Sequence, residues 1–490
     1  MQRPELRLYR VDAMRELDRR AIAASGEDGH ALMCRAGAAA LRRLRARFPE
    51  VQRLVAWCGR GNNGGDGYVL ARLARAAGLD ARVLATGMPG SAEAARARAD
   101  FEAAGGVVAT DAGAAFADAQ LVVDALLGIG TGRDPEGATA DAIAAIGRCG
   151  LPVLALDLPS GLDADSGHAY APCVRASLTV CFIGWKRGLW TGAAADHVGE
   201  CMLETLDVPA AVFDAVPADA RLLDDAECQR ALAPRAPAAH KGRHGHVLVV
   251  GGDHGMAGAA RLAGEAAARS GAGLVSVATR AAHVAALVGA RPELMVHGVE
   301  GELPDALLAR ASVIALGPGL GQSAWSRALW TQALAAGKPC VLDADGLNLL
   351  AAARCALPAQ AVLTPHPGEA ARLLEVVPAA IARDRYAAAR ELARRHQAVV
   401  VLKGAGTVVA TPTGEAWICA QANPAMASGG MGDVLTGIIA GLMAQHFDPA
   451  QAARVGVAAH AEAARRAAAR GARGMLAGEL LDCLRAAVNP

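Results

Sequence analysis

The sequence predicts two successive α/β domains, each built on a largely parallel sheet. Three observations predict them. Short apolar runs alternate with Ala-, Leu- and Arg-rich helical stretches, which is the pattern of βαβ units. The alternation stops near Pro209 in a segment rich in Pro, Ala and charge, and restarts at His246. Glycine clusters follow strand-like runs in both halves, as in "RLVAWCGRGNNGG" and "AVVVLKGAG". The expected domains are residues 1–215 and 225–490.

In the first half the runs "RLVAWC", "ARVLAT", "AQLVVDALLG" and "PVLALDLPSG" are predicted strands, and "GYVLARLARAAG" is the helix after the first. The segment from Val208 to Gly245 has no strand-like run. In the second half "HVLVVGG", "ASVIALGPG", "PCVLDADG", "AVLTPHPGE" and "AVVVLKGAG" repeat the alternation. No fixed period of about 20–50 residues is present, which excludes a solenoid.

Composition narrows the function classes. The 490 residues are 53% hydrophobic and 20% charged, enough apolar material for two sizeable cores. The net charge is +1 and aromatics make up 3%, so neither a whole-chain field nor a stacking platform points to nucleic acid. The 11 cysteines include no C-x-x-C pair, as expected for reduced, buried thiols. The first residues lack a signal-peptide core, and no apolar run reaches the roughly 18 residues of a membrane span. A cytoplasmic protein without a membrane partner is expected. A homo-oligomer is the general expectation for soluble enzymes.

Gly59, Gly61 and Gly64 give the spacing G-x-G-x-x-G between a strand and a helix. Such glycines let backbone approach a ligand, and the helix N-terminus favours phosphate. A dinucleotide-dependent dehydrogenase also needs an acid after the second strand to hold the ribose. Asp80 precedes "ARVLAT" and "GMPG" follows it, so hydride transfer is not supported. Instead Asn62, Asn63 and Asp66 crowd the glycine loop, Asp124 ends the next strand, and Asp157 and Ser160 follow another. Ligands of parallel sheets bind at the carboxyl ends of strands, so these segments should converge. Oxygen donors from Asn63, Asp124 and Ser160 suit a hard or alkali cation. The alternative is that each residue merely caps a turn or helix.

The motifs "GRGNNGGDGYVLAR", "VDALLGIGTGRD" and "LDLPSGLDADSG" resemble the NAD(P)H-hydrate epimerase family. "HALMCRAG" resembles that family's N-terminal helix, with Cys34 where several relatives have an acid. The resemblance implies a Rossmann-like three-layer αβα domain that interconverts the R and S hydrates of NADH and NADPH with bound potassium. It implies that Asn62, Asn63, Gly64, Gly65 and Asp66, together with Gly128, Ile129, Gly130, Thr131, Gly132, Arg133 and Asp134, contact the substrate. Asn63, Asp124 and Ser160 would hold potassium. Asp157 would contact substrate and act as the acid/base group.

In the second half, "NPAMASGGMGDVLTGIIAG" places Gly429, Gly430 and Gly432 beside Asp433, ahead of a strongly apolar helix. Amides at that helix start suit a transferring phosphoryl group, and Asp433 is placed to take a proton from an attacking hydroxyl. Lys403 follows a strand within "LKGAGT". Asp343, Asp345, Asn348, His366 and Glu369 lie at two other strand ends. No G-x-x-x-x-G-K-[ST] motif is present, which excludes a P-loop. His240, His244 and His246 lack metal-ligand spacing, and their segment is expected to be a basic loop facing substrate.

"VLVVGGDHGMAGAARLAGEAAARSGAG", "ALGPGLG", "LTPHPGE", "LKGAGT" and "ASGGMGDVLTGIIAG" resemble the ribokinase-like family, most closely its ADP-dependent NAD(P)H-hydrate dehydratase branch. The resemblance implies a ribokinase-like αβα domain. Lys403, Gly404, Ala405, Gly406, Thr407 and Gly432 would contact adenine nucleotide, ADP being the phosphoryl donor and arriving with magnesium. Ala259, Gly319, His366 and Asp433 would contact NADHX or NADPHX, with Asp433 catalytic. A rival is a small-metabolite kinase with a non-catalytic nucleotide-binding N-terminal domain.

Overall fold

A computed structural model describes residues 4–489, which form two compact units, Met1–Arg221 and Leu222–Pro490. The first contains a seven-stranded sheet of β1 (Arg53–Cys58), β2 (Asp80–Ala85), β3 (Val108–Ala109), β4 (Leu121–Ala125), β5 (Val153–Leu156), β6 (Leu178–Phe182) and β7 (Glu200–Glu204). All pairings are parallel, and the order is 3-2-1-4-5-6-7. The order reverses between β1 and β4, and the loops after these strands open a crevice for a ligand.

Both faces of this sheet are covered, which explains the uninterrupted apolar strands. Leu54, Ala56 and Cys58 of β1 enter one core, while Val55 and Trp57 enter the other. Helices α1 (Val11–Ser25), α2 (Gly29–Arg47) and α3 (Asn62–Ala76) contribute Leu17, Leu44 and Leu70 to the first core. The segment after Pro209 does contain a strand, Ala220–Leu222, which pairs antiparallel with Arg7–Tyr9. Three residues are too few to show an alternating pattern, which is why the sequence did not reveal it.

The second unit carries β8 (His246–Val250), β9 (Leu274–Thr279), β10 (Met295–Gly298), β11 (Val313–Leu316), β12 (Cys340–Leu342), β13 (Ala361–Leu363), β14 (Val399–Leu402), β15 (Thr407–Ala410) and β16 (Ala416–Cys419). Within this unit the order is 10-9-8-11-12-13-14-15-16. The pairs as far as β14 are parallel, and the β14–β15 and β15–β16 pairs are antiparallel. Four helices matter for the site: α4 (Ala257–Ser270), α5 (Pro367–Leu374), α6 (Met431–Ala444) and α7 (Pro449–Ala467).

Every residue of α6 is buried except Gly432 and Asp433. The helix is therefore clamped in the core and presents two residues of its first turn. A glycine makes this close packing possible, because a Cβ on Gly437 would lie 2.1 Å from the Ala263 carbonyl of α4. That atom is backbone and cannot swing away. Gly437→Ala should therefore lower unfolding stability by about 1–3 kcal/mol, the cost of overpacking a filled core. Denaturant unfolding checks this, and an unchanged midpoint would contradict the packing.

Two candidate active sites

In the first unit a cavity of about 650 Å³ opens at the strand ends, lined among others by Asp18, Asn63, Asp66, Gly128, Asp157 and Lys186. Its glycine loop is shaped by backbone contacts. A Cβ on Gly59 would lie 1.8 Å from the Leu126 carbonyl, and one on Gly64 would lie 2.0 Å from the Gly59 carbonyl. A Cβ on Gly61 meets nothing within 4 Å. Gly59 and Gly64 are thus required by the fold itself, whereas Gly61 leaves open space at the cavity.

The capping explanation fails for the polar residues of this loop. Gly61 is the N-cap of α3 and has no side-chain cap. Asn63 instead donates its amide to the Leu127 carbonyl at 2.9 Å, and its buried Oδ1 has no hydrogen-bond partner. The Leu127 N–H donates to Ser160 Oγ at 2.9 Å, and Ser160 Oγ donates to Asp124 Oδ1 at 2.6 Å. Asp124 also accepts from the Ser160 N–H at 2.8 Å. The three segments therefore converge. Burial pushes the Asp124 carboxyl up to about 6, against the downward pull of its Ser160 and Leu126 bonds.

Asp157 follows β5 with φ 66°, a conformation uncommon outside glycine. Its N–H donates to the Val180 carbonyl at 2.8 Å, and its Oδ1 accepts from the Phe182 N–H at 3.1 Å. Lys186 forms an ion pair with the same oxygen and donates to the Phe182 carbonyl at 2.9 Å. Lys186 is only 2% exposed. Asp18 of α1 and Asp66 of α3 complete the group. Burial, reinforced by Asp157, pushes Asp18 up to about 6, although Lys186 opposes it. Asp66 is pushed well above the usual carboxylate range by burial, then by Asp157 and Asp18. Sequence reasoning missed Asp18, which lies in an ordinary amphipathic helix. It also missed Lys186, although a lysine inside the apolar run "VCFIGWK" is a usable signal.

The other expected contacts are distributed unevenly. Asn62, Gly128, Ile129 and Gly130 line the cavity. Gly64 and Gly65 pack against Gly59 and Met33. Thr131, Gly132, Arg133 and Asp134 continue beyond the cavity wall, with Asp134 accepting from the Ala171 N–H at 3.0 Å. Cys34 lies 3.5 Å from His30 Nε2 on α2. Asp80 opens β2 and pairs with Arg82 at 2.9 Å, away from any ribose position after the strand.

In the second unit Lys403, after β14, forms an ion pair with Asp343 Oδ1 at 2.6 Å and lies 3.9 Å from Glu369. Thr436 of α6 donates to Asp343 Oδ2 at 2.9 Å. Burial would raise Asp343, but Lys403 and these hydrogen bonds hold it below the usual carboxylate range. Burial raises Glu369, with Lys403 opposing. Asp433 stands in the first turn of α6 and does not act as its cap; Gly430, with φ 90°, occupies that position without a side-chain cap. The first amides of α6 thus have no side-chain acceptor. Burial and the nearby Asp343 push Asp433 up to about 7, against Lys403.

The loop Lys403, Gly404, Ala405, Gly406, Thr407 wraps around a residue that the sequence did not flag. Buried Arg385 donates to the carbonyls of Leu402 and Lys403, each at 3.1 Å. Burial lowers its guanidinium to about 10. Gly432 lies beside this loop, since a Cβ there would sit 3.1 Å from Lys403 Nζ. Gly319, with φ 58°, adjoins α4, where its Cβ would meet Ala259 at 3.0 Å. His366 caps α5, its Nδ1 accepting from the Gly368 N–H at 2.9 Å, and Glu369 accepts from the His366 N–H at 2.7 Å. Asp345 and Asn348 bond each other and Gly321 or Arg372 and do not enter the lysine group. His246 is buried in β8 with Ser276 at 2.9 Å, and His244 lines a different cavity that contains none of these residues. The basic segment therefore does not face this site, because β8 carries it to the opposite end of the strand.

No helix among the described residues is long and apolar enough to cross a membrane. Residues 247–485 match the model of the NAD(P)H-hydrate dehydratase family, and residues 29–188 match that of the YjeF-related protein N-terminus. The Coxiella burnetii bifunctional NAD(P)H-hydrate repair enzyme Nnr is 46% identical, covering 99% of both chains. The Escherichia coli K12 enzyme of the same name is 42% identical, covering 99% of this chain and 94% of its own. The Bacillus subtilis ADP/ATP-dependent NAD(P)H-hydrate dehydratase, co-crystallised with ATP and Mg2+, is 33% identical with a TM-score of 0.50, covering 54% of this chain and 96% of its own. A ribokinase-like superfamily protein from Enterococcus faecalis V583 is 28% identical with a TM-score of 0.51, covering 56% of this chain and 98% of its own. With both glycine-led sites in place and relatives matched end to end, the chain belongs to the family of bifunctional NAD(P)H-hydrate repair enzymes.

Proposed function

We propose that residues 1–215 epimerise R- and S-NAD(P)HX and that residues 225–490 dehydrate the S form to NAD(P)H, converting ADP to AMP and phosphate. The observation that carries this reading is the pair of lysine-centred carboxylate groups, one in each unit, at the strand ends where ligands of such sheets bind. The small-metabolite kinase alternative is not favoured, because the 46% identity to a bifunctional repair enzyme covers 99% of the chain.

In the epimerase half, Asp157 is the acid/base group at the hydroxyl-bearing carbon, and the Lys186 ion pair fixes its orientation. Asn62 to Asp66 and Gly128 to Asp134 form the substrate loops. The orphaned Asn63 Oδ1 and the oxygens of Asp124 and Ser160 fit a potassium ion, since all are hard donors. Potassium would supply a fixed positive charge at these oxygens.

In the dehydratase half, Lys403 to Thr407 and Gly432 hold the adenine nucleotide, and Ala259, Gly319 and His366 place the hydrate. Among the described residues no cluster of three His, Cys, Asp or Glu is arranged for a metal. That fits magnesium arriving on the nucleotide phosphates, as this ion commonly does. Asp433 takes the proton of the substrate hydroxyl while its oxygen receives the phosphoryl group. The C–O bond then breaks with its electron pair on phosphate, and loss of a proton from the adjacent carbon restores the double bond. Hydroxide is a poor leaving group and phosphate a good one, which explains the need for the nucleotide.

The sites should separate under mutation. Asp157→Ala should slow epimerisation by about 10²–10⁴-fold while sparing dehydration of S-NADHX, and Asp433→Asn should do the reverse. Recovery of absorbance at 340 nm from mixed and S-only hydrates reads both activities of Asp157→Ala. Chromatographic separation of the R and S hydrates reads epimerisation in Asp433→Asn, and loss of both activities in either variant would contradict two sites. Because Asp433 must be ionised to act as a base and ionises near 7, dehydratase kcat should rise with pH through about 7. A profile flat from pH 5 to 8 would exclude that role. Exchanging potassium for tetramethylammonium should depress epimerisation alone, and Ser160→Ala should weaken the potassium dependence.

A further inference from the structure

The basic segment that neither site uses lines a second cavity of the C-terminal unit, about 540 Å³ in volume. Its wall includes Arg235, His244, Arg269, Gln445 and Arg485, with no Asp or Glu among its lining residues. These come from four places: the chain ahead of β8, the end of α4, the C-terminus of α6, and the last helix, Ala477–Ala487.

Few carboxylates stand against these charges. Arg235 donates to the Gly271 carbonyl at 2.5 Å and to Gln445 Oε1 at 2.9 Å, both neutral acceptors. Arg269 pairs with Glu265 at 2.8 Å, but Arg291 pairs with the same carboxylate at 2.6 Å, so one carboxylate serves two guanidiniums. Asp482 lies 3.9 Å from Arg269 at the rim and is exposed. The Arg485 guanidinium has no acid partner among the described residues. His244 Nε2 is buried with no hydrogen-bond partner. Burial lowers His244, and Arg235, His240, Arg243 and His446 lower it further, so the imidazole registers a field of one sign. A chain of net charge +1 has concentrated positive charge in one concavity.

We propose that this cavity is a second anion site that binds the diphosphate of a nucleotide or free pyrophosphate. Its volume falls in the range of small-molecule sites. Guanidiniums are the preferred donors to phosphate oxygens because their planar forks match them. Gln445 and Asn489 add neutral polar groups to the wall.

Isothermal titration of the full chain with inorganic pyrophosphate, and separately with NADP+, tests the site. Arg485 lies exposed near the end of its helix, so Arg485→Ala leaves the fold intact, as its melting temperature will verify. His244→Gln removes the buried imidazole without adding charge. Arg485→Ala should weaken binding on the order of threefold to tenfold, as loss of one exposed ion pair with phosphate does, and His244→Gln by about threefold, as loss of one neutral hydrogen bond does. Lys403→Ala should leave that binding phase unchanged. Tighter binding of NADP+ than of pyrophosphate would identify a nucleotide as the ligand, and the converse would identify the free anion. The proposal is overturned if wild type binds neither. It is also overturned if binding survives both cavity substitutions unchanged, whether or not Lys403→Ala removes it, or if Arg485→Glu splits a dimer, which would show that a second copy fills the cavity.

Discussion

Each half of the molecule depends on one lysine, buried in the first and four-fifths covered in the second, surrounded by more carboxylates than it can neutralise. In the first unit Lys186 faces Asp157, Asp18 and Asp66; in the second, Lys403 faces Asp343, Glu369 and Asp433. A lysine removed from water is tolerated only with a partner, and one partner is enough to secure it. The surplus carboxyls then titrate upward, because burial and the already ionised neighbour both disfavour a further negative charge. Thus Asp343 lies low while Asp433 rises to about 7, and Asp18 rises to about 6. In the second unit this leaves Asp433 exchanging protons near neutrality, which suits acid/base work.

The folds place these groups by the same device. Each lysine follows a buried strand, and each acid set includes one residue immediately after a parallel strand: Asp157 after β5 and Asp343 after β12. Backbone geometry reinforces the placement. Asp157 has a positive φ, as does Ala344 next to Asp343, with values of 66° and 47°. Such conformations persist only where the surroundings over-determine them. Around Asp157 the Val180 carbonyl, the Phe182 amide and Lys186 do so. Around Asp343, a Cβ on Gly317 would come within 1.9 Å of the Asp343 carbonyl, so only glycine admits the turn.

Much of this was legible because strand ends, glycines and polar residues are contiguous in sequence. Asn63, Asp124 and Ser160 stood in three separate motifs, and one hydrogen-bonded path through Leu127 now joins them. Asp433 was distinguishable from a helix cap only with coordinates, since a Gly-Gly-Met-Gly-Asp sequence permits either. What was hidden came from elements with no local signature. Asp18 lies on a surface-type helix and enters the cavity only because α1 packs there. Arg385 resembles any other arginine of a basic helix, yet it is buried beneath the Lys403 loop and bonds its carbonyls. The short strand Ala220–Leu222 left no period to detect. Such residues act through tertiary contacts, and a linear pattern does not encode them.

The two units also differ in what their surplus carboxyls can accomplish. In the first, the carboxyls face a broad cavity beside the glycine loop, and proton transfer is the chemistry that carboxyls themselves offer. In the second, the rigid core helix α6 carries Asp433 to a loop held by Arg385, and free helix amides stand beside it. In the roles proposed above, proton removal there would be coupled to an electrophile, and a poor leaving group would become a good one. An epimerase needs no phosphoryl donor, because its substrate and product differ only in configuration. A dehydration that must be driven forward needs an activated phosphoryl group. The fusion of these two sites follows that chemistry, since a dehydratase selective for one epimer would leave half of a mixed hydrate pool untouched.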